Sequence, residues 1–281
     1  MIGPLPIRRL VICTGRPDAA VSRYMAMRFV RAFPLADTRV YYQTGDPRPA
    51  GAVPSSATLP IRQLYWSLRT RLKRWPAEFW RYRYFTVCRR VVERRLRPLT
   101  PEALPRTEIR TVPSVNLCVD DLSDFRPDLL LISGGGIVAP SILNCARLAV
   151  NLHGGKLPEY RGVCSLLFAL REGRPDRIGS TLHVAAPRVD RGDVLAWKPL
   201  ETGEIRSMAD LLARLYVSGA EMTSETLRRL ELESLATAAQ TGSARCFRAR
   251  DVSATVIRDA YRALRLLRRR PQPALETGMQ P

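Results

Sequence analysis

Short apolar runs alternate with helical stripes along most of this chain. Leu10 to Thr14 and Arg39 to Tyr42 read as strands, and between them Ala20, Tyr24, Met27, Val30 and Phe33 recur at helical spacing. That order predicts a βαβ opening. Glu108 to Val112 predicts a third strand and Val119 to Phe125 a brief helix. Leu129 to Ile132 is apolar on both faces, as a strand inside a parallel sheet requires. Pro140 to Ala146 predicts a helix, Leu148 to Val150 opens a central strand, and Ser165 to Arg171 is another short helix. Ile178 to Val184 and Val194 to Trp197 predict two more strands. Ser207, with Asp210 three residues on, opens a helix through Leu230, and Ile257 to Arg270 predicts the last helix, with a frayed tail from Pro271. The expected fold class is therefore α/β: an open, mostly parallel sheet with helices on both faces. Residues 1–205 would form one domain, with a basic helical insertion at about 61–97, and 206–281 a mostly helical C-terminal extension.

Two stretches interrupt this order. Thr44 to Pro60 is rich in Pro, Gly, Ser and Ala and predicts a loop. Ile61 to Leu96 carries Leu64, Leu68, Leu72, Trp75, Phe79, Val87, Val91 and Leu96 as a helical stripe, broken at Pro76. The stripe is expected to face the core, with its arginines snorkelling over the sheet. Trp66, Trp80, Tyr82, Tyr84 and Phe85 lie among those arginines. They support the other reading, an arm that touches nucleic acid, a lipid surface or a glycan.

Charge sharpens that second reading without deciding it. The formal net charge is +19, carried almost wholly by arginine; Lys73, Lys156 and Lys198 are the only lysines. Such a balance attracts polyanions but does not specify a fold or a site. Contact with nucleic acid or membrane through the basic helices is weighed below a plain solvated surface. The six cysteines show no Cys-x-x-Cys pair, which argues against a zinc site and a disulfide scaffold; Cys13, Cys118 and Cys145 sit in apolar contexts and are expected to pack as small hydrophobes. No metal site is expected. No apolar run is long enough to span a bilayer, and the start of the chain lacks a signal-peptide pattern, so a cytoplasmic location is expected.

Candidate chemistry collects between Leu148 and Asp193. Asn151 and His153 are two residues apart at the end of an apolar run, which points both side chains to one face. Turns follow at Gly154-Gly155 and around Pro158 and Gly162. The pair therefore belongs at the carboxyl end of a buried strand, where open α/β sheets bind ligands. Arg188 to Asp193 returns a polar cluster after the next strand, and a carboxylate brought beside an imidazole would orient it and raise its pKa. A capped strand end with a satisfied histidine is the plainer alternative. Arg16, in the turn after the first strand, could meet an anion but is more often solvated. Gly134-Gly135-Gly136 could let backbone approach a ligand or could be only a tight turn.

Asn-x-His-x-x-x-Leu-Pro-x-Tyr-Arg-Gly, then Gly-x-Thr-x-His, then Val-Asp-x-Gly-Asp-Val, resembles the folate-dependent formyltransferase family, over roughly Phe125 to Leu200. The resemblance implies a Rossmann-like formyltransferase catalytic domain and 10-formyltetrahydrofolate as co-substrate. It implies Asn151, His153 and Asp190 as catalytic residues: oxyanion donor, proton shuttle and its partner. Gly136, Ile137, Val138 and Val189 would bind the folate. Lys156, Leu157, Pro158, Tyr160, Arg161 and Gly162 would form the acceptor loop; Gly154, Gly155 and Lys156 depart from the commoner serine-containing version, and Lys156 could meet an acceptor phosphate or carboxylate. His183 would be a satisfied strand histidine. The partner implied is a small-molecule amine, amino sugar nucleotides included. The C-terminal stretch is expected to be too short and too helical for the β-barrel of the tRNA-formylating members, and the turn after the first strand lacks the glycine-serine pattern of the purine-pathway members. Alternatives are a formyltetrahydrofolate hydrolase, or a non-catalytic basic polyanion-binding protein on the same fold.

Overall fold

The computed structural model describes residues 1–45, 79–97, 104, 106–202, 205–242 and 244–268. The expected loop beyond Gly45, the first part of the insertion (61–78) and the tail from Pro271 lie outside these residues.

Seven strands form the main sheet: β1 (Arg9–Thr14), β2 (Asp37–Gln43), β3 (Thr107–Val112), β4 (Leu129–Ser133), β5 (Leu148–His153), β7 (Gly179–Val184) and β8 (Val194–Pro199). Their order is β3-β2-β1-β4-β5-β7-β8. The first five run parallel, and β7 and β8 continue antiparallel. A separate two-stranded pairing joins β6 (Tyr160–Gly162) to β9 (Arg245–Phe247), which the sequence pattern does not announce.

The central strands are buried on both faces, and alternation assigns their side chains to two cores. Leu10, Ile12, Leu129 and Leu131 face one cluster; Val11, Cys13, Leu130 and Ile132 face the other. Helices α1 (Ala20–Ala32) and α6 (Met208–Leu232) cover the first face through Phe29, Val30, Leu211 and Leu227. Helices α3 (Val119–Phe125) and α4 (Pro140–Leu143) cover the second through Leu122 and Ile142. Cys118 and Cys145 pack against that second cluster, half-buried. α5 (Ser165–Arg171) packs against α7 (Ala254–Leu267). Ser207 caps α6, its hydroxyl accepting the Asp210 N–H at 3.1 Å. Residues beyond 205 thus share the core of the sheet.

The insertion departs from its expected register. Its described part is helical over 79–96, with a π-helical turn at Arg83–Cys88 followed by α2 (Arg89–Leu96). The buried residues are Tyr84, Cys88, Val92 and Leu96, whereas Phe79, Val87 and Val91 are exposed. The expected core stripe of Phe79, Val87 and Val91 is corrected: the wider π turn and a strict four-residue step select a neighbouring row.

Candidate active site

The strand order reverses between β1 and β4, and a crevice opens there beyond the carboxyl ends of the strands. Gly135 sits in it at φ +94°, and a Cβ there would lie 2.4 Å from Gln43 Nε2. Only glycine fits this close approach.

β5 ends in the crevice with Asn151-Leu152-His153. Its antiparallel partner β7 sets His183 opposite Asn151 and Thr181 opposite His153. The third group arrives from the β7–β8 connection. Asp190 adopts φ +52°, a left-handed conformation uncommon for a residue with a Cβ, and the turn aims its carboxylate back at β5. Oδ1 accepts from Asn151 Nδ2 at 3.2 Å and lies 3.5 Å from His183 Nε2. Oδ2 accepts the Gly162 N–H at 2.7 Å and faces His153 Nδ1 at 3.5 Å.

The hydrogen bonds select tautomers. The Tyr160 carbonyl lies 2.6 Å from His153 Nε2, so that nitrogen carries the proton and donates; the Ser165 hydroxyl donates to the same carbonyl at 2.9 Å. Nδ1, facing Asp190, is then the free base. His183 Nδ1 donates to the Val184 carbonyl at 2.8 Å, leaving Nε2 to accept from Asn151 Nδ2 at 3.0 Å. Both amide protons of Asn151 are therefore engaged within the cluster.

Burial is the strongest influence on His153 and pushes its pKa below 6.5, against the raising pull of the Asp190 carboxylate and the Tyr160 carbonyl. At Asp190 burial raises the pKa, but the imidazoles of His183 and His153, when they carry protons towards it, and the Gly162 N–H together outweigh it and bring it down to about 2. The resting arrangement is a neutral imidazole beside a carboxylate.

A backbone clamp holds Asp190 in its unusual conformation. Arg161, buried, donates from Nε to the Asp190 carbonyl at 3.1 Å and from its terminal nitrogen to Gln240 Oε1 at 2.8 Å. Gln240 Nε2 donates to the carbonyls of Asp190 (3.0 Å) and Gly192 (2.6 Å). Sequence reasoning missed Gln240, Ser165 and Thr181, whose hydroxyl donates to the Gly155 carbonyl at 2.6 Å. Nothing in local pattern flags a glutamine fifty residues downstream.

Two cavities meet at the cluster. The smaller, about 360 Å³, has apolar walls of Ile132, Val138, Leu143 and Val189 and ends on Asn151, His183 and Asp190. The larger, about 820 Å³, runs from Gly15, Ser22 and Gln43 to Ser165 and Tyr216 and includes Arg16, Tyr84 and Arg89. His153, Gly154, Gly162 and the backbone of 134–137 line both. The four expected folate residues, Gly136, Ile137, Val138 and Val189, line the smaller cavity.

The expected acceptor loop runs beside the cavities. Only Gly162 of its six residues lines the cavities. Leu157 is buried, and the cation of Lys156 sits 5.7 Å from the Trp197 ring. Tyr160 donates its hydroxyl to Glu172 at 2.7 Å, and Arg161 holds Asp190. Leu157–Pro158 is a cis peptide. Packing makes these side chains a frame beside the cavities, with Lys156, Leu157, Pro158, Tyr160 and Arg161 outside the lining and Gly162 within it. Arg16 pairs with Asp18 and is exposed. Among the described residues no cluster of His, Cys, Asp and Glu could hold a metal ion, and no helix is long and apolar enough to cross a membrane.

Comparison with known proteins finds likeness in sequence and in fold. Residues 113–227 match the family model described as formyl transferase. A methionyl-tRNA formyltransferase of Chlorobium chlorochromatii (strain CaD3) is 32% identical over 135 residues, 44% of this chain and 43% of that protein. The match thus spans less than half the length of this curated relative. A 4-N formyltransferase from Francisella tularensis shares the fold with a TM-score of 0.53 at 15% identity, over 87% of this chain and 77% of that one. HypX from Aquifex aeolicus, solved in complex with tetrahydrofolic acid, shares it with a TM-score of 0.51 at 14% identity, over 90% of this chain and 34% of that one. The match over residues 113–227 is to the family that the three motifs resemble, and the open α/β fold is shared with both solved structures.

Proposed function

We propose that this protein moves a formyl group from 10-formyltetrahydrofolate to the amine of a small acceptor, with amino sugar nucleotides the favoured class. The observation that carries the reading is the position of His153: flanked by Asn151 and Asp190, it stands on the wall shared by two cavities. Transfer between two bound molecules needs both to meet at one proton-handling group.

The smaller cavity fits the donor. Val138, Leu143 and Val189 can flank a flat ring, and the backbone of the 134–138 and 185–190 segments offers polar edges to a heteroaromatic. A neighbour of the same fold was solved with tetrahydrofolic acid. When bound, the donor supplies the formyl carbon; the rest falls to the chain. His153, neutral at pH 7 because it is buried, takes a proton from the attacking amine and returns it to the donor nitrogen as the bond from that nitrogen to the formyl carbon breaks, while Asp190 stabilises the intervening cation across 3.5 Å. Asn151 is the nearest amide donor for charge developing on the formyl oxygen. Because both its protons are engaged, it reaches that oxygen by giving up the longer bond, the one to Asp190.

The larger cavity, about 820 Å³, is of a size to enclose an acceptor as large as a nucleotide sugar. The likeness in fold to a sugar N-formyltransferase from Shewanella sp FDAARGOS_354 supports that class, while the match to a methionyl-tRNA formyltransferase supports formyl transfer to an amine without naming this acceptor. The test is tetrahydrofolate release from 10-formyltetrahydrofolate in the presence of a panel of amino sugar nucleotides. Amine-dependent release is expected, reduced about a hundredfold or more in His153→Ala. Equal release without any amine would move the reading to hydrolysis, and an unimpaired His153→Ala would sink the mechanism.

A further inference from the structure

The basic helix over residues 79–97 carries a surface that the transfer chemistry does not use. Seven arginines occupy its nineteen positions against a single acid, Glu93. That carboxylate is already committed, accepting the Ala20 N–H at the start of α1. Arg89, Arg90 and Arg94 meet no carboxylate among the described residues. Between the arginines the corrected register leaves large apolar side chains outside: Phe79 is 43% exposed, Tyr82 55%, Val87 43% and Val91 36%.

The helix is tied to α7 and to the turn before it. Trp80 packs on Tyr261 at 5.5 Å between ring centroids, the Arg83 guanidinium lies 5.2 Å from the Tyr261 ring, and Arg81 donates to the Val252 carbonyl at 3.0 Å. α7 adds Arg262, Arg265 and Leu266, all exposed, Leu266 by 62%.

We propose that this face docks the protein on an anionic lipid surface. Arginines alone would suit any polyanion, nucleic acid included. The aliphatic residues decide between them: Val87, Val91 and Leu266 have no partner on a phosphate backbone and cannot stack on bases as aromatics do. At a membrane they enter the boundary between headgroups and acyl chains while the arginines meet lipid phosphates. The charge complementarity is one-sided, since the helix offers an anionic surface almost no repulsion. Arg89 and Tyr84 of the same helix line the larger cavity, so the docked protein would hold that cavity beside the headgroup layer. If the proposed transfer stands, its acceptor is then an amine presented at, or drawn from, a membrane surface. The docking itself does not depend on that reading.

The experiment is co-sedimentation of the full chain with vesicles of phosphatidylcholine alone and with about 30% phosphatidylglycerol, at about 150 mM salt. Wild type is expected on the anionic vesicles only. V87D/V91D and R90E/R94E should each weaken binding about tenfold or more, with melting temperatures unchanged within about 2 °C. Failure of the wild type to sediment with anionic vesicles would overturn the proposal. So would retention of full binding by V87D/V91D, or tighter binding of poly(U) RNA than of vesicles at the same salt. A fall of about 5 °C or more in the melting temperature of V87D/V91D would overturn it too, because it would mean the chain itself covers that face. Donor turnover in the same variants, measured without vesicles, separates a failure of docking from a failure of the transfer chemistry.

Discussion

His153 and Asp190 hold opposite charge states for reasons that pH can expose. Burial keeps the His153 pKa below 6.5, so turnover should rise with pH to a plateau, with its inflection below 6.5 in a kcat–pH profile. An inflection above 6.5 would contradict a base kept neutral by burial. The same depression means that the unfolded chain binds a proton there before the folded one does, so this residue lowers stability as pH falls from 6.5. Asp190 works in its own window. Its folded pKa of about 2 lies below the ordinary aspartate value of 3.8. The stability it contributes is therefore complete above 3.8 and lost as pH falls through 2. Urea denaturation of Asp190→Asn should show a loss at pH 7 that narrows towards wild type as pH drops below 3.8. A pH-independent loss would assign the residue a packing role alone. Asn151 and His153 were legible as a pair because two-residue spacing in a strand is a local rule. The engagement of both Asn151 protons was not, since it depends on His183 and Asp190 arriving from other segments.

At the scale of elements, the small β6–β9 pairing carries much of the site's order. Gly162 stands at φ +86°, and a Cβ there would lie 2.1 Å from the Phe247 carbonyl oxygen. Gly162→Ala should therefore break this pairing and displace the N–H that Asp190 accepts, at a cost of about 2–4 kcal/mol. Thermal unfolding and turnover should fall together; a stable variant with normal turnover would show the pairing to be dispensable. Elements differed in how far the chain announced them. The Ser207–Asp210 start of α6 was readable because a cap is made within one turn. The face of helix 79–97 was not, because a π turn slips the 3.6-residue period by which a stripe is recognised. β9 was invisible for another reason: three residues pairing across more than eighty carry no pattern of their own.

For the whole molecule, the open sheet followed from the alternation of buried runs and helical stripes, and its reversal between β1 and β4 places the crevice. That two cavities would meet at His153 could not be read from pattern, since their walls draw on residues from Gly15 to Tyr216. The folate site of the smaller cavity is the central claim, and calorimetric titration with 5-formyltetrahydrofolate, a stable donor analogue, tests it most directly. Gly136 supplies the control: a Cβ there meets nothing within 4 Å, so Gly136→Trp should fill the cavity without disturbing the fold. Saturable micromolar binding to wild type, lost in folded Gly136→Trp, is the predicted result. No saturable binding to folded wild type, or equal binding to both proteins, would contradict the account.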